Sequence, residues 1–426
     1  MMNRSSLFAV VNRFIPLAIA LTLLAGAALG APSKKKKKIA PRRTSQHAAQ
    51  HAARRPVAAR SKARRNSVVH HRITRAAAHM PKGLHGKAAR RWAARHRRPV
   101  WVQTWDEPTF ADSTSGDNVD GEILDVRRAA VEALGSYNGT IVVVDPTNGR
   151  ILTMVNQKLA LGSGYQPCST IKVSVALAAL HEGLIHNTSP IHLYGRRNMD
   201  LTEALARSNN FYFANLGVKL GYDRVNRYAH MFGYGEKAGL NIPGEHAGAF
   251  PAAPPKSGGV GMLTSFGEEI SQTPLQLAAL MTAIANGGTL YYLQYPRTQQ
   301  EIAAFAPKVK RQLDIKPLIE EIKPGMQGAV EFGTARRAKQ DDTIMGKTGT
   351  CSEGRTRLGW FGSFNEVGRR KLVVVVLLTG GRPTIGPLAA GVAGDVYRRL
   401  AQKNYFASNM PMVPAALVSP QICCGQ

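Results

Sequence analysis

The first acidic side chain in this 426-residue chain is Asp106, and 24 Lys and Arg residues precede it. A segment so rich in one charge and so poor in large aliphatics cannot bury enough apolar area to offset the entropy of ordering it. Compact structure must therefore come from the residues that follow. There the remaining 32 basic side chains are balanced by all 27 acidic ones, an ordinary globular proportion. The net charge of +29 belongs to one arm and does not make the chain a nucleic-acid-binding domain. Four Cys are too few and too scattered for a disulfide-built scaffold.

The arm has two parts. Residues 1–31 read as a signal peptide or membrane anchor: Arg4 and Arg13 precede an uncharged run over 14–31 that ends in Ala28-Leu29-Gly30-Ala31. Pro16 inside the run and the five lysines at 34–38 weigh against an anchor, because positive charge favours the inner side. The reading is export, with cleavage left open. Residues 32–105 read as a disordered basic linker. Its seven His match no metal-ligand spacing. Near a membrane such a polycation would be drawn to anionic lipid or anionic wall polymer; its charge specifies no nucleic acid. Trp101 and Trp105 close the arm, where it would dock on the folded part.

The rest divides by pattern. Residues 140–145 form a β-branched strand, Pro146-Thr147-Asn148-Gly149 is turn chemistry, and 151–155 is the partner strand of a hairpin. Residues 169–184, 202–207 and 223–231 read as helical, the last stopped by Gly233. Thr273-Pro274 starts a helix as N-cap and first-turn proline. Strands follow over 344–349, 358–364 and 371–379, then a helix over 388–400. Strands at both ends with helices between them predict an α+β fold with an antiparallel sheet and a helical lobe.

Three short patterns carry possible chemistry. In Ser169-Thr-Ile-Lys172, helical spacing brings a lysine amine to a serine hydroxyl, which is a poor nucleophile until a base takes its proton. Burial and a helix's positive end would lower the lysine pKa enough for that role. Ser208-Asn-Asn210 offers a hydroxyl and an amide that serve equally as a polar turn or helix cap. Lys347-Thr-Gly-Thr350 lies on a strand, with Lys347 and Gly349 on one face and Thr348 and Thr350 on the other. A phosphate loop is excluded, because Asp341 stands where that motif needs glycine.

Taken together and in this order, the trio resembles the signature of penicillin-binding proteins and class A β-lactamases. The chain over roughly 120–402 resembles the penicillin-binding transpeptidase domain. Ser265-Phe266-Gly267, Thr273-Pro274-Leu275-Gln276, Gly333-Thr334-Ala335 and Trp360-Phe361 look like further family segments. The resemblance implies a β-lactamase/transpeptidase-like fold over 106–403 with a tail over 404–426. It implies Ser169 as nucleophile, Lys172 as its base, Ser208 as proton relay and Asn210 as a partner of the acyl-side amide. Lys347 would place positive potential at the substrate carboxylate, Thr348 and Thr350 would contact that group, and Gly349 would allow close backbone approach. The activity implied is D-Ala-D-Ala crosslinking of peptidoglycan stem peptides in an extracytoplasmic, membrane-associated setting, with acylation by β-lactams, no cofactor or metal, and a glycan polymerase as a partner. A D,D-carboxypeptidase, a β-lactamase or penicillin sensor, and a non-catalytic scaffold are the alternatives. Family members often have glycine where this chain has Cys168. The expectation is a small residue filling a tight turn, unpaired with Cys351, which alternation turns away from the face of Thr350. Cys423 and Cys424 read as unpaired and solvent-exposed.

Overall fold

A computed structural model describes residues 105–194, 197–366 and 368–407, with Gly83 and 85–88. The leader-like residues 1–31, most of the basic arm, Trp101, Cys423 and Cys424 lie outside the described residues. Among those described, no helix is long and apolar enough to cross a membrane.

Five antiparallel strands form the central sheet. The hairpin β1 (Gly139–Asp145) and β2 (Arg150–Val155) turns through Asp145 and Asn148, whose side chains bond the turn's own backbone. Two two-stranded ribbons follow, β3 (Ile191–Tyr194) with β4 (Arg197–Met199), and β5 (Thr289–Tyr291) with β6 (Val309–Gln312). The chain returns to the sheet with β7 (Ile344–Glu353), β8 (Thr356–Asn365) and β9 (Val373–Gly380). The order is β2-β1-β9-β8-β7, so the last strand pairs with the first, Thr140 opposite Leu377. Strand β9 is buried along its whole length. It therefore reads as an unbroken apolar run, because both faces of the sheet are covered.

One face packs α1 (Leu124–Leu134) and the C-terminal helix, here α9 (Gly386–Gln402), through Val126, Ala130, Val396 and Tyr397. That packed layer reaches Phe406, three residues beyond the expected domain end at 403. At the other end, Trp105 lies against Gly381, where a Cβ would meet the indole. The opposite face carries the helical lobe: α2 (Ile171–His181), α3 (Leu201–Ala206), α4 (Asn210–Leu220), α5 (Tyr222–Met231), α6 (Gly259–Phe266), α7 (Pro274–Ala285) and α8 (Lys316–Glu331).

Helix α7 lies across the sheet and is buried on nearly every side. Its start is set locally. The Thr273 side chain accepts from Gln276 N, the Gln276 side chain accepts from Thr273 N, and Pro274 occupies the first turn. Thr273→Ala removes half of this box and should lower unfolding free energy by about 1 kcal/mol. A urea titration reads the midpoint shift.

Helix α8 runs through Pro324, although an interior proline removes a backbone hydrogen bond and ordinarily breaks a helix. Packing holds it together: Gly325 lies against Leu205 of α3, where a Cβ would sit 2.7 Å from the Leu205 Cβ. That contact fixes α3, and hence the turn after it, next to the sheet edge.

Candidate active site

Ser169 sits in a 3-10 turn, Cys168–Thr170, that opens into α2, and Lys172 follows one turn on. The Lys172 Nζ lies 2.5 Å from Ser169 Oγ, 2.6 Å from Asn210 Oδ1 and 2.7 Å from the Ser265 carbonyl oxygen. An ammonium would donate to all three. A neutral amine donates to Asn210 and Ser265 and turns its lone pair to the serine hydroxyl. Lys172 is fully buried, with the Phe213 and Phe266 rings 5.9 and 5.8 Å from Nζ. Burial first, and the nearby Lys347 charge second, pull its pKa well below that of an exposed lysine. Deprotonation is thus easier here than in water, as a base requires.

The Ser208 turn links α3 to α4. Asn209 caps α4 by accepting from Tyr212 N at 2.8 Å. The capping role expected for this tripeptide falls on its middle residue, which leaves the flanking pair free to point elsewhere. Ser208 takes a left-handed backbone, φ 55°. Its Oγ accepts from Lys347 Nζ at 2.8 Å, while Asn210 reaches Lys172.

Lys347 lies on β7, the edge strand of the sheet. Its Nζ also donates to the Thr348 carbonyl at 2.9 Å. It is fully buried, and burial lowers its pKa to about 7. Two lysine ammonium groups, each disfavoured by desolvation, therefore flank one serine pair. An anionic group bound beside Lys347 would favour its charged form. Among the described residues no cluster of His, Cys, Asp or Glu is arranged to hold a metal.

The face alternation of β7 is as read from sequence, but the neighbours differ from expectation. Thr348 Oγ1 is 2.6 Å from Thr334 Oγ1, and Thr350 Oγ1 accepts from Gly386 N at the start of α9. The other face, with Lys347, Gly349 and Cys351, packs on the Ser169 turn. A Cβ on Gly349 would stand 2.8 Å from the Pro167 carbonyl oxygen. Close backbone approach is required here by the nucleophile turn itself.

That packing overturns the expectation for the cysteines. Cys168 and Cys351 form a disulfide, with Cα atoms 5.5 Å apart. Turning away from Thr350's face is what points Cys351 at the turn that carries Cys168. Cys168 also adopts φ 52°, a left-handed conformation that glycine takes freely, so a Cβ is accommodated here at some backbone cost.

Ser169, Lys172, Ser208, Asn210 and Lys347 thus meet in one place, contributed by a helix start, a turn and a strand edge. Two participants escaped sequence reasoning as individuals: the Ser265 carbonyl and the Thr334 hydroxyl. Both lie in segments already singled out, 265–267 and 333–335, but nothing local reveals which atom of such a segment faces inward.

Comparison with known proteins gives the family of the chain. The model of the penicillin binding protein transpeptidase domain matches residues 139–400. Stage V sporulation protein D of Bacillus subtilis is 28% identical over 312 residues, 60% of this chain and 48% of that protein. Peptidoglycan D,D-transpeptidase MrdA of Haemophilus influenzae is 25% identical over 378 residues, 68% of this chain and 57% of that protein. The chain therefore spans about half the length of these curated relatives. The crystal structure of the D,D-transpeptidase domain of peptidoglycan glycosyltransferase from Eggerthella lenta superposes with a TM-score of 0.53 at 21% identity, over 66% of this chain and 81% of that one, a likeness of fold.

Proposed function

The chain belongs to the penicillin-binding protein transpeptidase domain family, and from that premise we propose that it is a serine D,D-transpeptidase acting on peptidoglycan stem peptides. The observation that carries the reading is the buried Lys172 Nζ held 2.5 Å from Ser169 Oγ. The neutral amine takes the hydroxyl proton as Ser169 attacks the carbonyl of the penultimate D-Ala. Asn210 and the Ser265 carbonyl keep the amine's own hydrogens occupied, so its lone pair stays on the reacting oxygen. Backbone N–H groups of Ser169 and Thr350 receive the developing oxyanion, at about 3 kcal/mol of transition-state stabilisation per donor. Lys347 supplies the positive field for the terminal carboxylate, with Thr348 and Thr350 beside it. Through its bond to Ser208 it also orients the hydroxyl that passes a proton to the departing D-Ala amine. An amine from a neighbouring stem peptide then attacks the acyl-enzyme, and the same groups run in reverse.

A β-lactam presents the same amide and carboxylate, and acylates Ser169. Residues 1–31 would direct export and the domain would work outside the cytoplasmic membrane, with the basic arm held near anionic lipid or wall polymer and a glycan polymerase as its partner.

Intact-mass measurement after benzylpenicillin treatment tests the reading. The wild-type chain is expected to gain one persistent penicilloyl adduct and Ser169→Ala none. Equal adducts on both would remove Ser169 from its role, and turnover of the wild-type adduct within seconds would indicate a hydrolase instead.

A further inference from the structure

The geometry points to the Cys168–Cys351 disulfide as a positioning device that sets the distance between the two halves of the oxyanion site. This rests on the function proposed above. Cys168 immediately precedes Ser169, and Cys351 immediately follows Thr350. These are the two residues whose backbone N–H groups would hold the oxyanion. The covalent link thus joins the flanks of both donors, across 183 residues of sequence and 5.5 Å between Cα atoms.

The surrounding contacts explain why such a link has something to fix. The Ser169 turn and β7 belong to different parts of the molecule, one to the helical lobe and one to the sheet. Among the described residues no strand pairs with the outer edge of β7, so no ladder of backbone bonds sets its distance from the turn. Packing of Gly349 against the Pro167 carbonyl joins the two here, and Trp360 Nε1 on the neighbouring β8 donates to the Gln166 carbonyl at 2.9 Å. Both contacts lie on the approach to Cys168, and neither constrains the segment beyond Thr350. That segment is held by an exposed bond from Gln166 N–H to a Glu353 carboxylate oxygen at 3.3 Å and by the disulfide, which is the covalent tie. Residue 168 also has a positive φ, so its Cα sits at a sharp corner, and small shifts of the corner swing the Ser169 N–H. Acyl transfer is sensitive to such shifts, since donors must lie within hydrogen-bond distance of the oxyanion, and a misplacement of 1 Å costs on the order of a hundredfold.

The bond is chemically reachable from one side. Cys168 is fully buried, whereas Cys351 is partly exposed. A dithiol reductant attacks as its thiolate at the Cys351 sulfur. A new S–S bond forms there, and Cys168 leaves as a thiolate and takes up a proton. The reductant's second thiol displaces Cys351 as a thiol. The protein gains two electrons and two protons, and the reductant becomes a disulfide.

The experiment compares the full chain in oxidised form, after dithiothreitol treatment, and after removal of the dithiol and reoxidation, together with the Cys168→Ser/Cys351→Ser double variant. Stopped-flow acylation by benzylpenicillin separates the noncovalent Kd from the acylation rate constant, and a thermal melt reports folding. The expected result is at least a tenfold fall in the rate constant on reduction, with Kd within twofold and a folded domain at assay temperature. Reoxidation should restore the rate, and the double variant should match the reduced wild type and ignore dithiothreitol. Equal rate constants in oxidised and reduced wild type would overturn the inference while leaving the proposed function standing. So would a fall that merely tracks loss of the folded domain, or a rise in Kd with the rate constant unchanged. Failure of the oxidised wild type to form any adduct would take down the function and the inference together.

Discussion

Lys172→Met should be acylated by benzylpenicillin about a thousandfold more slowly than the wild-type chain. A positioned general base contributes on the order of 10² to 10⁴ in rate. Here the Lys172 amine contacts Ser169 Oγ, and burial with the nearby Lys347 charge holds its pKa well below that of an ordinary lysine. Methionine keeps the length and apolar stem, so the packing against Phe213 and Phe266 survives. The carbonyl oxygens of Asn210 and Ser265 lose a donor, which bears on stability more than on rate. The pH dependence separates base loss from misfolding. Because the Lys172 pKa is depressed, the wild-type acylation rate climbs as pH rises through that depressed value and then levels. The variant should show no such rise, and stopped-flow acylation between pH 6 and 10 checks it. Retention of the rising limb in Lys172→Met would assign the base elsewhere.

The second large effect concerns stability and carries the opposite sign from most point substitutions. Lys347→Met should abolish measurable acylation and yet unfold at higher denaturant concentration than the wild type at pH 7. Lys347 is fully buried and its folded pKa is about 7, against 10.5 for an ordinary lysine. Between these values the unfolded chain binds a proton that the folded chain does not, so wild-type stability rises with pH across that window. At pH 7 and below, the cost of carrying this lysine is fully present, and it vanishes above 10.5. The shift corresponds to several kcal/mol, at about 1.4 kcal/mol per unit. Against this, the variant forfeits the bonds to Ser208 and the Thr348 carbonyl, at about 1–3 kcal/mol for the buried acceptor. The variant's advantage should therefore be largest near pH 7 and shrink by several kcal/mol toward pH 10. Guanidinium titrations at both pH values measure the difference. An advantage independent of pH would show that Lys347 is not desolvated in the folded state. A reactive site that stores instability in this way is a known trade between activity and stability.

Much of this was readable from local chemistry. The Asp145–Gly149 turn, the Thr273-Pro274 helix start and the strands around Lys347 and Trp360 all depend on residues a few positions apart, and they fold where such patterns place them. Misses occurred where distant packing overrides local preference. Lys316–Glu331 stays helical through Pro324 and Gly325 because Gly325 closes onto Leu205. Asn210–Leu220 begins one residue after a cap hidden as the middle of Ser208-Asn-Asn210. The cysteine pairing was misjudged although the alternation of β7 was right. Alternation says that Thr350 and Cys351 face apart, and only the docked turn says which side is occupied.

Residue identity and short-range spacing alone set the inventory: a hydroxyl one helical turn from an amine, a second hydroxyl two residues from an amide, a lysine on a strand, and a charged arm unable to fold. Tertiary packing set the mutual distances, the two depressed lysine pKa values and the crosslink beside Ser169. Those quantities depend on what water is excluded and which remote surfaces touch, and neither is encoded within any one stretch of the chain.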